Sequence, residues 1–289
     1  MKLFSDRVRE LPVLGVGVST EFGARRHGGL DPNELARAHP EFAGFLEVGA
    51  DLERGVDEDT RRWVTNGGKT TYHFLDVNLE EAEDITESWL VRTKALATSI
   101  GAAWLCGDAG LWHVGARDRG HGVLMPPILV AESADVMGDN LVRVREATGF
   151  EVLPENPPAH VFVGDLHLAD YYARVGERAD SGLLLDVAHL AVYQHVMGHD
   201  PLTALDGFPF ERVVEMHVAG GKPFELSGER FVEDDHGVDV LEATWTILEF
   251  ALERAKNLKA LCFECERNPI DAVLPGFERI TRAWQEANA

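Results

Sequence analysis

Carboxylates and imidazoles recur in this chain at one kind of place, the carboxyl end of a short apolar or β-branched run. FLEVG carries Glu47, TTYHFLDV carries His73, WLCGD carries Asp108, and LPEN carries Glu155 and Asn156. LLLDVAH carries Asp186 and His189, and EMHVAG carries His217. EDDHG adds Asp234, Asp235 and His236, and CFECE places Glu264 between Cys262 and Glu266. Any one of these reads as well as a helix cap or a satisfied core group. Together they predict a metal centre, because carboxylates gathered on one rim repel each other unless cations neutralise them. Imidazole and carboxylate donors with little thiolate fit iron, manganese or zinc better than magnesium or calcium. The donors exceed the needs of one ion, and a carboxylate such as Glu155 can bridge two. Two or three metals are expected.

Strand parity tests whether these groups can meet. Successive strand residues point to opposite faces, so Cys262, Glu264 and Glu266 share one face, and Val213, Glu215 and His217 share another. Turning these faces inward puts Glu264 and His217 at the top of a barrel interior. The opposite choice would bury charges unpaired under apolar helices, at high cost. The same parity separates Cys262 from Cys265, so this Cys-x-x-Cys is not read as a chelating or redox pair. His113, in GLWHVG beyond Asp108, is placed where it could reach the rim. His27, His39, His121, His160, His167, His195 and His199 are read as surface or loop residues.

The elements that must position these groups are eight strands and eight helices in alternation. The strands are predicted at Val13–Ser19, Gly44–Gly49, Thr70–Val77, Ala102–Asp108, Phe150–Asn156, Gly182–Val187, Arg212–Ala219 and Ala260–Glu266. Helices are predicted at Asp31–Ala38, Asp57–Val64, Glu83–Ile100, Ile128–Thr148, Asp165–Arg178, Pro201–Asp206, Asp239–Ala255 and Ile270–Glu286. That alternation predicts an α/β fold, a (β/α)8 TIM barrel spanning residues 1–289 as one domain, with its metal site at the carboxyl face of the strands. Long loops are expected at Ala109–Pro127 and Gly220–Gly237, both on that face.

Composition narrows the function. With 27 Lys+Arg against 49 Asp+Glu among 289 residues, the net charge is −22. Such a surface repels phosphate, so neither nucleic acid nor an anionic membrane is expected as a partner. The densest basic run is Arg25-Arg26-His27. No apolar run has the length of a membrane span, and the N-terminus MKLFSDRVRE has no secretory pattern. Three cysteines are too few for a disulfide framework, which places the chain in the cytoplasm.

ENPPAH, LLLDVAHL followed by GHDP, RVVEMHVAGG, DDHG and CFECE run in an order that resembles the DUF692 proteins, multinuclear non-haem iron-dependent oxidases related to methanobactin-synthesis proteins. The resemblance implies a TIM barrel with two or three irons, mixed ferrous and ferric. It implies O₂-dependent modification of a ribosomally made peptide, often at a cysteine, in natural-product biosynthesis, with a separate protein recruiting the leader. By motif it implies His73, Asp108, Glu155, Asp186, His217, Asp234, His236 and Glu264 as ligands. His73-Phe74-Leu75 departs from the usual His-Gly-Val, and Gly107-Asp108-Ala109 lacks a histidine for which His113 is a possible substitute. Ala188-His189 stands where two asparagines are usual, and Cys265 stands in place of a tryptophan.

His189 also makes the set similar to the trinuclear zinc site of endonuclease IV-type enzymes, which share their barrel with xylose isomerase-like proteins. The leading expectation is therefore the iron oxidase, with His189, Asp234 and His236 around a third iron. Glu47 and Asn156 are expected as supporting groups behind the ligands. The alternative is a zinc or manganese enzyme, a sugar isomerase or epimerase or a phosphodiester hydrolase. The sugar chemistry would call on a catalytic lysine, for which Lys222 in AGGK is the one candidate, or on a second carboxylate near the substrate. The hydrolase is disfavoured by the charge.

Overall fold

In the computed structural model, which describes residues 2–20, 28–115 and 124–288, eight parallel strands close on themselves. The chain opens with α1 (Phe4–Glu10), β1 (Gly15–Thr20), α2 (Pro32–Ala38), β2 (Leu46–Ala50), α3 (Glu58–Thr65), β3 (Thr70–Phe74) and α4 (Glu87–Ile100). It continues with β4 (Ala102–Asp108), β5 (Ile128–Leu129), α5 (Ala131–Thr148), β6 (Val152–Glu155), β7 (Val163–Gly164), α6 (Leu168–Ala179), β8 (Leu183–Asp186) and α7 (Val187–Met197). It ends with β9 (Val213–Ala219), β10 (Gly221–Leu226), β11 (Glu229–Asp234), α8 (Glu242–Leu252), β12 (Ala260–Glu264) and α9 (Ile270–Ala287). The barrel order is β1-β12-β9-β8-β6-β4-β3-β2, the TIM-barrel closure. No helix among the described residues is long and apolar enough to cross a membrane.

Local chemistry sets the helix starts. Asp31 accepts from the N–H groups of Asn33 and Glu34, Asp57 from Thr60, and Thr86 from Trp89. These caps satisfy first-turn donors that have no partner within the helix. Outward strand residues such as Val18, Leu46, Val48, Tyr72 and Phe74 pack under the helices. The inward floor is apolar, built from Phe45, Trp104, Leu153, Leu184 and Ala260, and closed by Phe4 and Val8 of α1. Gly17 leaves the space that the Phe45 ring fills. Arg7 holds α1 in place through Glu151, at 2.7 Å. Above that floor the interior carries the buried polar side chains of Glu47, His73, Asp108, Glu155, Asp186, Glu215, His217 and Glu264.

Several expectations need correction. Residues 201–206 are not the helix after the sixth barrel strand. That helix is α7, which follows β8 directly and is buried on nearly every side. VAHLAVYQHVM lacks a polar face, so it shows no helical period to read. The expected loop Gly220–Gly237 is largely the antiparallel hairpin of β10 and β11, packed against α7. The start of the helix expected at Ile128 is instead β5, paired in parallel with β7. α1 was not expected at all. The other strands and helices lie within a few residues of their expected bounds. Arg25, Arg26, His27 and His121 lie outside the described residues.

Candidate metal centre

Six barrel strands aim one donor each into the upper interior. His73 Nε2 lies 2.7 Å from Glu155 Oε2 and 3.9 Å from Asp108 Oδ2. His217 Nδ1 lies 3.1 Å from Glu155 Oε1, 3.5 Å from Glu264 Oε1 and 3.9 Å from Asp186 Oδ2. The first turn of α7 adds His189, whose Nε2 is 3.4 Å from Asp186 Oδ2 and 3.2 Å from Asp234 Oδ2. Its Nδ1 is 3.5 Å from Glu155 Oε1. The hairpin ends in Asp234, and His236 just beyond it brings Nε2 to 3.2 Å from Asp234 Oδ2 and 3.8 Å from Glu264 Oε2. The structure thus gathers His73, Asp108, Glu155, Asp186, His189, His217, Asp234, His236 and Glu264 around one volume.

Holding His236 there requires an unusual backbone. Its φ is +50°, a left-handed conformation that costs a side-chain-bearing residue energy. Asn268 Nδ2 donates to the His236 carbonyl at 2.6 Å and fixes it.

Three of the imidazoles are oriented from behind. His217 Nε2 lies 3.0 Å from Glu47 Oε2, leaving Nδ1 for the interior. His236 Nδ1 lies 2.7 Å from Glu266 Oε1, and Ser19 Oγ donates to Glu266 Oε2 at 2.8 Å. His189 Nδ1 lies 2.9 Å from the Asn156 carbonyl. Asn156 also ties β6 to β8, donating to the Asp186 carbonyl at 2.9 Å and accepting from its N–H at 3.0 Å. A partner of this kind on the outer nitrogen is what fixes tautomer and ring direction in metal-ligating histidines. Glu266 and Ser19 had no role assigned from the sequence. Glu266 was legible by its shared face with Glu264; Ser19 carried no signal.

The inner atoms are short of partners. Asp108 Oδ1, Glu155 Oε1, Asp186 Oδ2, His217 Nδ1, Asp234 Oδ1 and Glu264 Oε2 are buried and, among the described residues, make no hydrogen bond of good geometry, close though some of them lie to one another. Buried polar atoms are nearly always satisfied, so such a convergence marks a place for cations. Among the described residues four donor groups are compact enough to hold an ion. Two contain Glu47, with His217 and Cys262 or with Cys106 and Glu215, and lie in the layer below. The two at this volume are His73 with Asp108 and Glu155, and Glu155 with Asp186, His189 and Glu264. Glu155 belongs to both. The nitrogen and oxygen donors fit a first-row transition metal.

Without a cation the site is electrostatically divided. Burial would lower the His73 pKa, but Glu47, Glu155 and Asp108 hold it up at about 9. Burial raises Asp108 to about 7, with Glu155 adding to the shift. Burial also opposes the charge on Glu155 and Asp234, yet the facing imidazoles hold both well below the usual carboxylate range. Burial drives Asp186 well upward.

Beneath the centre lies a further polar layer. The Cys106 thiol donates to Glu47 Oε2 at 3.3 Å, and Trp104 Nε1 donates to Glu215 Oε2 at 2.6 Å. Burial pushes the Cys106 and Cys262 thiols well up, and neighbouring Glu47 adds to this, so both are protonated near neutral pH. Cys262 faces the barrel interior while Cys265 packs outside under the helices, as parity required.

Two residues singled out from the sequence stand apart. His113 has Nε2 3.0 Å from Asp84 Oδ2 and Nδ1 2.7 Å from the Gly115 carbonyl, so both nitrogens are engaged away from the donors. It lines the cavity and anchors its wall. Lys222 is exposed on β10 and does not line the cavity. That cavity, about 690 Å³, opens above the donors, with Trp112, Leu124 and Pro158 among its wall residues.

A family model described as "RiPP precursor modification enzyme MbnB/TglH/ChrH" matches residues 30–288, RiPP standing for ribosomally made and post-translationally modified peptide. A UPF0276 protein of Caulobacter vibrioides is 23% identical over 264 residues, covering 85% of this chain and 91% of that protein. A UPF0276 protein of Anaeromyxobacter sp. is 26% identical over 191 residues, covering 65% of each. Among solved structures, the TTHB071 protein of Thermus thermophilus superposes with a TM-score of 0.55 at 20% identity, covering 92% of this chain and 98% of that one. Endonuclease IV from the same organism gives 0.53 at 17% identity, covering 95% and 99%. At these identities the structural likenesses speak to the barrel fold.

Proposed function

The chain belongs to the MbnB/TglH/ChrH family of RiPP precursor modification enzymes, and from that premise we propose that it uses O₂ and two or three irons, ferrous and ferric together, to oxidise a ribosomally made precursor peptide at a cysteine. The observation that carries this reading is the set of buried, unpartnered carboxylate and imidazole atoms beneath an open cavity. A separate protein that recruits the leader is part of the reading. So is a cytoplasmic setting, which suits three free buried thiols.

His73, Asp108 and Glu155 would hold one iron, and Glu155 with Asp186, His217 and Glu264 a second. Asp234, His236 and His189 would hold the third. Held by these residues, iron would supply the one-electron chemistry that couples reduction of O₂ to oxidation of the substrate sulfur. The chain's own groups do the rest. Glu47, Glu266 and the Asn156 carbonyl keep three imidazoles aimed inward. The floor of Phe45, Trp104 and Leu153 keeps water from entering below. The cavity above admits a peptide side chain and brings it against the donors.

Neither alternative is favoured by the site. Lys222 lies outside the cavity, so the lysine-assisted sugar chemistry lacks its base. Aspartates and glutamates dominate the charged lining, which would repel a phosphodiester.

The test is anaerobic loading with ferrous iron, then exposure to O₂ with a panel of synthetic cysteine-containing peptides, read by oxygen uptake and mass spectrometry. The reading expects uptake coupled to a change in peptide mass, absent in Glu155→Gln. Equal turnover by zinc- or manganese-loaded protein, or turnover without O₂, would overturn it.

A further inference from the structure

Beside the metal cavity runs a second hollow of about 740 Å³, which shares Leu124, Pro158 and Asp234 with it. Its walls come from the segment leading into β5, the loop that leads into β7, α7, and β11, the strand of the hairpin that packs against α7. The lining is apolar apart from His160, Glu233 and Asp234. Ile128, Val161 and Val163 are 56%, 69% and 62% exposed, although large aliphatic side chains gain by being covered. Pro126, Pro127 and Pro158 stiffen the walls and offer no N–H, so the groove is built to take side chains rather than to pair a strand. His160 packs edge-on against Phe224 and Phe231 and lies 3.0 Å from the Val232 carbonyl. It thereby fixes the hairpin as a groove wall, and the same hairpin delivers Asp234 to the donors.

We propose that this groove seats the stretch of precursor peptide next to the residue that enters the metal cavity, and that it selects apolar side chains at those positions. The inference rests on the function proposed above. Its occupant follows from continuity: a chain whose side chain reaches the donors over Asp234 and Pro158 passes directly into the groove. Among the described residues no lysine or arginine lines the groove to hold an acidic segment, and a basic one would have only Glu233 and Asp234 to meet, the latter already facing His189 and His236.

Binding can be measured apart from chemistry. Short fluorescein-labelled peptides with one cysteine flanked by valine and leucine are compared with versions carrying serine and aspartate there, by fluorescence anisotropy without O₂. The apolar peptides are expected to bind iron-loaded wild-type protein, and Val163→Asp to weaken them by about tenfold or more, since a charge would be covered unpaired. Val163 is exposed, so the variant should fold normally, which circular dichroism checks. Val163→Ser supplies a milder second variant.

Equal binding of both peptide sets, or no effect of either variant, would overturn the groove. So would a loss of self-association in Val163→Asp, which would assign the face to a second copy of this chain. Failure of the groove is distinguishable from failure of the function. Peptide oxidation that ignores the flanking residues would sink the groove alone. Groove-dependent binding with no iron- and O₂-dependent mass change would sink the oxidase reading alone.

Discussion

Glu47 Oε2 lies 3.0 Å from His217 Nε2, deep inside the barrel, and this contact turns His217 Nδ1 upward toward Glu155 and Glu264. A carboxylate in this position both orients the ring and raises its basicity. Glu47→Ala is therefore expected to weaken metal binding by about 10- to 100-fold, and Glu47→Gln by less, because an amide oxygen can still accept. Competition against a calibrated chelator reads the affinity. Unchanged affinity in Glu47→Ala would remove Glu47 from the centre.

Glu155 belongs to two of the compact donor groups, whereas Asp108 belongs to only one of these and Glu264 only to the other. Loss of Glu155 should cost more than one metal per chain, and loss of Asp108 or Glu264 about one or fewer. Elemental analysis of Glu155→Gln, Asp108→Asn and Glu264→Gln makes the comparison. Full metal content in Glu155→Gln would contradict the bridging role.

Asp186 has two duties on opposite sides of one carboxylate. Oδ1 accepts from the His189 N–H at 2.7 Å and caps α7, while Oδ2 faces the donors, 3.4 Å from His189 Nε2 and without a hydrogen bond among the described residues. Asp186→Asn should keep the cap and lose metal. Asp186→Ala should lose both, with an added destabilisation of about 1 kcal/mol for the cap. Urea melts of the two metal-free variants separate these effects, and equal stability would argue that the cap contributes nothing.

His113 and His189 can be set against each other. The His113 ring is engaged with Asp84 and Gly115, so His113→Ala should leave metal stoichiometry unchanged. His189→Ala should reduce it. Metal lost from His113→Ala but not from His189→Ala would reverse the assignment.

The metal-free protein should lose stability as pH rises. His73 titrates at about 9 in the fold against 6.5 ordinarily, because nearby carboxylates outweigh the effect of burial. The folded state then holds the extra proton through that interval, so its stabilisation is complete below 6.5 and gone above about 9. Glu215, raised by burial and by Glu47 from 4.5 to about 8, contributes in the same direction. Metal displaces such protons, so its affinity should rise across the same window. Thermal melts of metal-free protein should show a midpoint falling from pH 6.5 to 9. A rising midpoint would contradict the charge arrangement. At the acid end the sign reverses, since the imidazoles overcome burial to hold Glu264 at about 2 against 4.5, and that stabilisation is lost as pH falls between the two.

The barrel was legible because its strands and most of its helices keep their periods, and because a residue at a strand's carboxyl end must face the same rim as its counterparts. Parity on β9 and β12 alone placed His217 and Glu264 inward. What escaped reading lacks a period. α7 is apolar around its circumference, and the hairpin strands GKPFEL and ERFVED carry a proline and charges that hide their alternation. The role of Ser19 behind Glu266, and the engagement of His113 by Asp84, depend on contacts between residues far apart in the chain. Residue type and spacing give no measure of such distances.

The central claim is that this donor set holds a multinuclear iron centre. Mössbauer spectroscopy with elemental analysis, on protein produced anaerobically in iron-57 medium, tests it most directly. The account predicts two or three irons per chain, with coupled ferrous and ferric signals that change on exposure to O₂. Stoichiometric zinc or manganese with no response to O₂ would contradict it.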